Sequence, residues 1–257
     1  MEHKSAGNLL LRGVNIFILL AVLTALEFAI AVTNASLLLL TITALIKAGL
    51  VLWYYMHVGE LAHDDEGQEH DHNSYAFKSE TNRLGLWLFL LSDAFLFAGL
   101  LVTRFNLMGL TRLPLNQTLG LVVTVVLLVS SFFMNRAEVQ MARGDTAAFS
   151  RNALITILLG IGFLVGVLGV EWRLAAAEGV KASASAQDAV FYMMTGMHAF
   201  HVLTGVIFLL IVLRNASKGL YNAEKHWPVE AATVYWHFVD LVWIFFYPAL
   251  YLIGRLA

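Results

Sequence analysis

The chain has 257 residues, 59% hydrophobic and 13% charged, with a formal net charge of -2 and no cysteine; its mean hydropathy is +0.73. This balance excludes an ordinary soluble domain, and the lack of cysteine excludes a disulfide, a thiolate-held dinuclear copper and a c-type haem attached through Cys-x-x-Cys-His. So small a net charge gives no ground for a nucleic-acid partner, and no Gly-rich phosphate loop occurs.

A run of about 18 or more apolar residues spans roughly 30 Å of hydrocarbon as a helix, whereas barrel strands would alternate over about ten residues. Seven such runs follow one another, over residues 15–32, 37–58, 84–103, 118–136, 153–172, 189–213 and 231–253. The predicted fold is all-α, a polytopic membrane protein with seven transmembrane helices. It divides into a two-helix hairpin (residues 1–58), an acidic, His-rich connector (59–82) and a five-helix bundle (83–257).

The first two runs turn back at Thr33-Asn34-Ala35-Ser36, too tightly for anything but antiparallel neighbours. Glu27 and Lys47 fall on these two helices at similar depth, which predicts a structural ion pair inside the hairpin or a bond to another subunit. The connector contains His63, Asp64, Asp65, Glu66, Glu69, His70, Asp71 and His72 and reads as a hydrated segment, not a metal site. In the fifth run, Gly160, Gly162, Gly166 and Gly169 predict a smooth face suited to close helix approach. Pro248 lies inside the last run and should kink it.

Lysine and arginine favour the cytoplasmic ends of spans. With the N-terminus inside, Lys4, Arg12, Lys78, Arg83, Arg136, Arg143, Arg151, Arg214, Lys218 and Lys225 lie on that side. Only Arg104, Arg112, Arg173, Lys181 and Arg255 then lie outside. The expected topology is N-terminus cytoplasmic and C-terminus outside, with the first span a retained helix and not a cleaved leader.

The chemistry-bearing residues sit within these spans: Asp93 in the third, Glu171 at the end of the fifth, His198 and His201 in the sixth, His237 and Asp240 in the seventh. An ionisable group at mid-membrane costs roughly 2.5–3.5 kcal/mol on insertion scales, so each needs a partner in protein or water. His237 and Asp240 share a face, and Trp236, Asp240, Trp243 and Tyr247 form an adjoining stripe. Counted by helical rise, Asp93 and Asp240 lie about 13–15 Å from the cytoplasmic edge and His237 about 10 Å. One polar layer near mid-membrane and separate satisfaction of each group both remain open.

Four stretches resemble subunit III of the haem-copper terminal oxidases, the family of cytochrome c oxidase subunit III and its quinol oxidase counterpart. They are Leu86-Trp87-Leu88-Phe89-Leu90-Leu91-Ser92-Asp93; Glu171; Thr195-Gly196-Met197-His198-Ala199-Phe200-His201-Val202 with Gly205; and Tyr235-Trp236-His237-Phe238-Val239-Asp240 with Val242-Trp243. The family usually has Ser-Glu where this chain has Ser92-Asp93, and the quinol oxidase branch resembles it in carrying Asp. Longer members place two helices with a His and Pro-Trp-Pro signature before the five, and that signature is missing here. The hairpin, through Ala44-Leu45-Ile46-Lys47-Ala48 and Trp53-Tyr54-Tyr55-Met56-His57, instead resembles the small subunit IV of bacterial oxidases, as in a fusion with the connector as seam.

The resemblance implies a non-catalytic accessory subunit of a proton-pumping oxidase in the bacterial cytoplasmic membrane. It would be docked on catalytic subunit I and on subunit II, with haem and copper in those partners and no cofactor of its own. It also implies bound phospholipid and support of proton uptake. Asp93, Glu171, His198, His201, His237 and Asp240 would be the structural, proton-supporting polar set. Glu27, Lys47, Arg83, Trp87, Trp236 and Trp243 are candidates for lipid or inter-subunit contact. Two other classes compete: a self-contained b-type membrane cytochrome or quinone-binding protein, with His201 and His237 as a bis-histidine haem site, and a proton-coupled transporter with broken helices.

Overall fold

A computed structural model of the chain describes residues 6–33, 36–54 and 75–256. Seven long helices run through the described residues: α1 (Ala6–Thr33), α2 (Leu37–Tyr54), α3 (Tyr75–Met108), α4 (Gln117–Ala142), α5 (Thr146–Ala177), α6 (Ala186–Ser217) and α7 (Trp227–Leu252). Six are long and apolar enough to cross a membrane, and α2 contributes a shorter apolar stretch, Leu38–Leu52. The chain is an all-α polytopic membrane protein.

Most helices outrun the apolar stretches by several residues, because backbone hydrogen bonding continues where side chains turn polar. α3 begins at Tyr75, so residues 75–82, assigned from sequence to the connector, are helical; residues 59–74 lie outside the described residues. Side-chain caps close the entries of three helices: Asn116 accepts from the Leu119 N–H at 2.9 Å, Asp145 from Ala148 at 2.9 Å, and Ser185 from Asp188 at 3.0 Å.

Pro248 widens the end of α7 into a π-turn over Pro248–Leu252, with the Ile253 N–H donating to the Pro248 carbonyl at 2.8 Å. A second π segment, Val165–Glu171, interrupts α5. Beyond the helices, Thr111–Arg112 and Arg255–Leu256 form a two-residue parallel β pair (β1 and β2) that sequence periodicity did not signal. Gly254 makes this pair possible: its φ is 107°, and a Cβ there would stand 2.6 Å from the Leu110 carbonyl oxygen.

α7 is the central pillar, in contact with α2, α3, α4 and α6. Of its apolar window 78% is buried, against 11% for α3, which lies at the periphery. α1 pairs with α2 and leans on α4, α5 packs on α4 and α6, and α3 rests on α6 and α7. Lipid tails are as apolar as leucine, so close packing and polar bonds, not apolar burial, hold such a bundle together.

That packing is visible at the glycines. A Cβ at Gly160 would stand 2.6 Å from the Trp236 ring, one at Gly205 3.0 Å from it, and one at Gly120 2.7 Å from the Tyr251 ring. The large rings of α7 thus fill notches in α4, α5 and α6. The expected smooth face of α5 is only partly used, because Gly166 abuts Val123 while Gly162 meets nothing within 4 Å.

Candidate functional site

The polar residues of α7 face α4. Ser131 on α4 bridges both: its hydroxyl donates to the Asp240 carboxylate and lies 2.9 Å from His237 Nδ1. A hydroxyl has one proton, so a Ser131 that donates to Asp240 accepts from an Nδ1–H on His237. Trp236 Nε1 donates to Ser130 Oγ at 3.1 Å, and Trp243 Nε1 to Thr124 Oγ1 at 2.9 Å. The aromatic and acidic stripe of α7 is therefore zipped onto a hydroxyl stripe of α4. Thr124, Ser130 and Ser131 escaped the sequence reading, because a helical hydroxyl commonly bonds its own preceding turn and carries no pattern of its own.

Asp93 and His201 pair elsewhere, between α3 and α6, with Asp93 Oδ2 3.3 Å from His201 Nε2. His201 Nδ1 lies 2.8 Å from the Met197 carbonyl and donates to it. Phe97 packs edge-on against the His201 ring at 4.7 Å, and the Tyr235 hydroxyl joins Thr204 Oγ1 at 2.6 Å.

His198 is fully buried among rings: Trp243 at 4.8 Å, Phe163 at 5.4 Å and Phe246 at 6.2 Å. Neither of its nitrogens has a hydrogen-bond partner. Glu171 is buried in the π segment of α5, beside the Asn116 backbone, with neither carboxylate oxygen in a well-formed hydrogen bond. The polar layer left open from sequence thus resolves into separate arrangements: His237–Ser131–Asp240 on α4 and α7, Asp93–His201 on α3 and α6, His198 in an aromatic box, and Glu171 apart. Depth along a helix says nothing about rotation around it, and rotation sends these groups to different neighbours.

Four of the candidates for lipid or inter-subunit contact are interior. Glu27 and Lys47 form an ion pair fully enclosed between α1 and α2 and their neighbours, and Trp236 and Trp243 are core rings of α7. Arg83 and Trp87 are half-buried. Arg83 reaches Glu230 at 3.2 Å and stacks over Trp227 at 5.8 Å, tying α3 to the start of α7.

Arg104, counted from sequence as an external charge, is fully buried. Its guanidinium donates to the carbonyls of Gly109 (2.6 Å), Thr111 (2.9 Å) and Ile253 (3.1 Å), which binds the β1–β2 end of the molecule together. Among the described residues no three His, Asp or Glu side chains group as metal ligands would.

A seven-helix bundle whose intramembrane histidines and carboxylates mostly bond one helix to the next has the build of a membrane scaffold subunit. The sequence comparisons name the family. Residues 9–255 match the family model for cytochrome c oxidase subunit III, and the chain belongs to that family. It is similar to cytochrome c oxidase subunit 3 of Thermostichus vulcanus, with 34% identity over 67% of this chain and 87% of that protein. The corresponding subunit of Bacillus sp. (strain PS3) is 36% identical over 68% of this chain and 86% of the relative. Quinol oxidase subunit 3 of Bacillus subtilis (strain 168) is 34% identical over 69% of this chain and 91% of its own length. The chain is a non-catalytic membrane subunit of a haem-copper oxidase.

Proposed function

We propose that the chain works without a redox centre of its own, docked beside the catalytic subunit I and subunit II of a bacterial terminal oxidase that reduces dioxygen to water and pumps protons. The haem and copper belong to those partners. The chain steadies the complex, holds phospholipid and supports proton uptake, and it sits in the cytoplasmic membrane with its N-terminus inside and C-terminus outside.

The observation that carries this reading is the family match over nearly the whole chain. The site chemistry agrees with it. His237 meets Ser131 on α4 through Nδ1, and His201 Nε2 lies 3.3 Å from Asp93 on α3, so each ring reaches across to a neighbouring helix. The b-type cytochrome alternative would need His201 Nε2 for iron, and that nitrogen faces the Asp93 carboxylate.

The match from residue 9 takes in the α1–α2 hairpin. This supports a hairpin that acts as part of subunit III, and a fusion with a subunit IV-like segment fits the same role. Copurification followed by mass spectrometry tests the proposal. A large histidine-rich subunit should accompany the chain, and a copper site in the second subunit would mark cytochrome c, not quinol, as electron donor. A chain that purifies alone from gently solubilised membranes would contradict it.

A further inference from the structure

Away from the bonds between α4 and α7, a line of buried oxygen atoms runs from the hairpin to the β1–β2 end of the bundle. Glu27 lends Oε2 to Lys47, while its Oε1 has no partner in the protein. Tyr247 comes next, immediately before the Pro248–Leu252 turn that packs on α1, and its hydroxyl is also unpartnered. One helical turn on, the Tyr251 ring lies 5.8 Å from that of Tyr247 at an interplanar angle of 31°, its hydroxyl again without a partner. Tyr251 and Glu171 both abut the start of α4: the Gln117 amide donates to the Tyr251 carbonyl at 2.8 Å and the Tyr251 ring covers Gly120, while Glu171 lies beside the Asn116 backbone without a well-formed bond to either carboxylate oxygen.

These four residues are at most 2% exposed, so bulk solvent does not reach them directly. Glu171 lies beside the Asn116 backbone, and Asn116 lines a cavity of about 460 Å³ together with Gln117, Leu174 and Ala175. That volume is large against the ~30 Å³ that a water molecule occupies in the liquid.

Buried polar atoms are rarely left without a partner, and where protein supplies none, ordered water does. Here Glu27 Oε1 and the hydroxyls of Tyr247 and Tyr251 have no partner, and the Glu171 carboxylate has only a poorly formed contact with the Asn116 backbone, so the unmet groups come from α1, α7 and α5. A single hydroxyl can be tolerated alone in a core; a row of acceptors and hydroxyls ending near a cavity whose lining includes Arg112, Asn116, Gln117 and Glu178 is a path that water can fill. We propose that Glu27, Tyr247, Tyr251 and Glu171 bind a file of internal water molecules that enters from the cavity at Asn116. Glu171 stands at its mouth, and the Lys47–Glu27 pair closes its inner end. The file keeps these carboxylates in proton exchange with the aqueous phase at that end of the bundle, although the side chains lie inside the membrane.

Hydroxyl-radical footprinting by synchrotron radiolysis of the oxidase complex tests this, because radicals made in place mark buried rings only where water touches them. Tyr247 and Tyr251 should be oxidised about tenfold faster than Phe149, which is equally buried and has no polar atom to hydrate. Tyr54 and Tyr75, both exposed, calibrate the scale. Oxidation of Tyr247 and Tyr251 no faster than that of Phe149 would overturn the proposal. Tyr251→Phe gives a second measure: it should lower the temperature at which the subunit leaves the complex, by removing a rung of the file. A rise in that temperature would show that the hydroxyl had no partner and would overturn it equally.

Discussion

The ring of Trp236 occupies the space that a side chain at Gly160 would take: an ideal Cβ there stands 2.6 Å from the indole Cη2. Trp236 is also held by its N–H bond to Ser130, so it has little freedom to retreat. Gly160→Ala should therefore destabilise the bundle by about 1–3 kcal/mol through overpacking. Gly162→Ala, two residues away and open on that side, should be neutral within about 0.5 kcal/mol. Thermal dissociation of the subunit in detergent, compared for the two variants, checks this.

Ser131→Ala removes the hydroxyl shared by His237 and Asp240 and leaves a buried carboxylate short of a donor. The expected cost is about 1–3 kcal/mol. Because the bond joins α4 to α7, the loss should appear as faster hydrogen exchange at both helices while the haem absorbance of the complex stays unchanged.

Lys47 and Glu27 are enclosed together, and among the described residues neither has another ion-pair partner. Lys47→Met alone should cost about 3–5 kcal/mol, since it strands a buried carboxylate, whereas Lys47→Met combined with Glu27→Leu should recover most of that loss. A double-mutant cycle on subunit retention measures the coupling.

Arg104→Met would deprive three carbonyls of their donor, at about 1–3 kcal/mol for each group left unsatisfied. The first visible effect should be local: the Arg255 N–H, which donates to the Leu110 carbonyl at 3.0 Å, should lose exchange protection, and the C-terminal residues should become accessible to protease.

The helices were legible because a membrane forces every backbone group to be satisfied within its own segment, so apolar length alone marks a span. The intramembrane residues His237 and Asp240 stood out for the same reason. Their partner Ser131 did not, since nothing in the order of residues says that α4 faces α7. Arg104 entered the sequence reading only as a charge at one end of the third span; that it is a buried clasp was not legible, because α3 continues past the apolar run to Met108 and the chain then folds back over its guanidinium. Trp236 and Trp243, candidates for lipid or inter-subunit contact, lie instead in the core: Trp236 fills the notches at Gly160 and Gly205, and Trp243 packs against Phe163 and His198.

The central claim is that the ionisable groups in these helices brace a scaffold and do not ligate a redox centre. The visible absorption spectrum of the purified chain, separated from its companions in detergent and recorded oxidised and then reduced, tests it most directly. The expected result is a colourless protein with no Soret band in either state. A stoichiometric Soret band that His201→Ala or His237→Ala abolishes would contradict it.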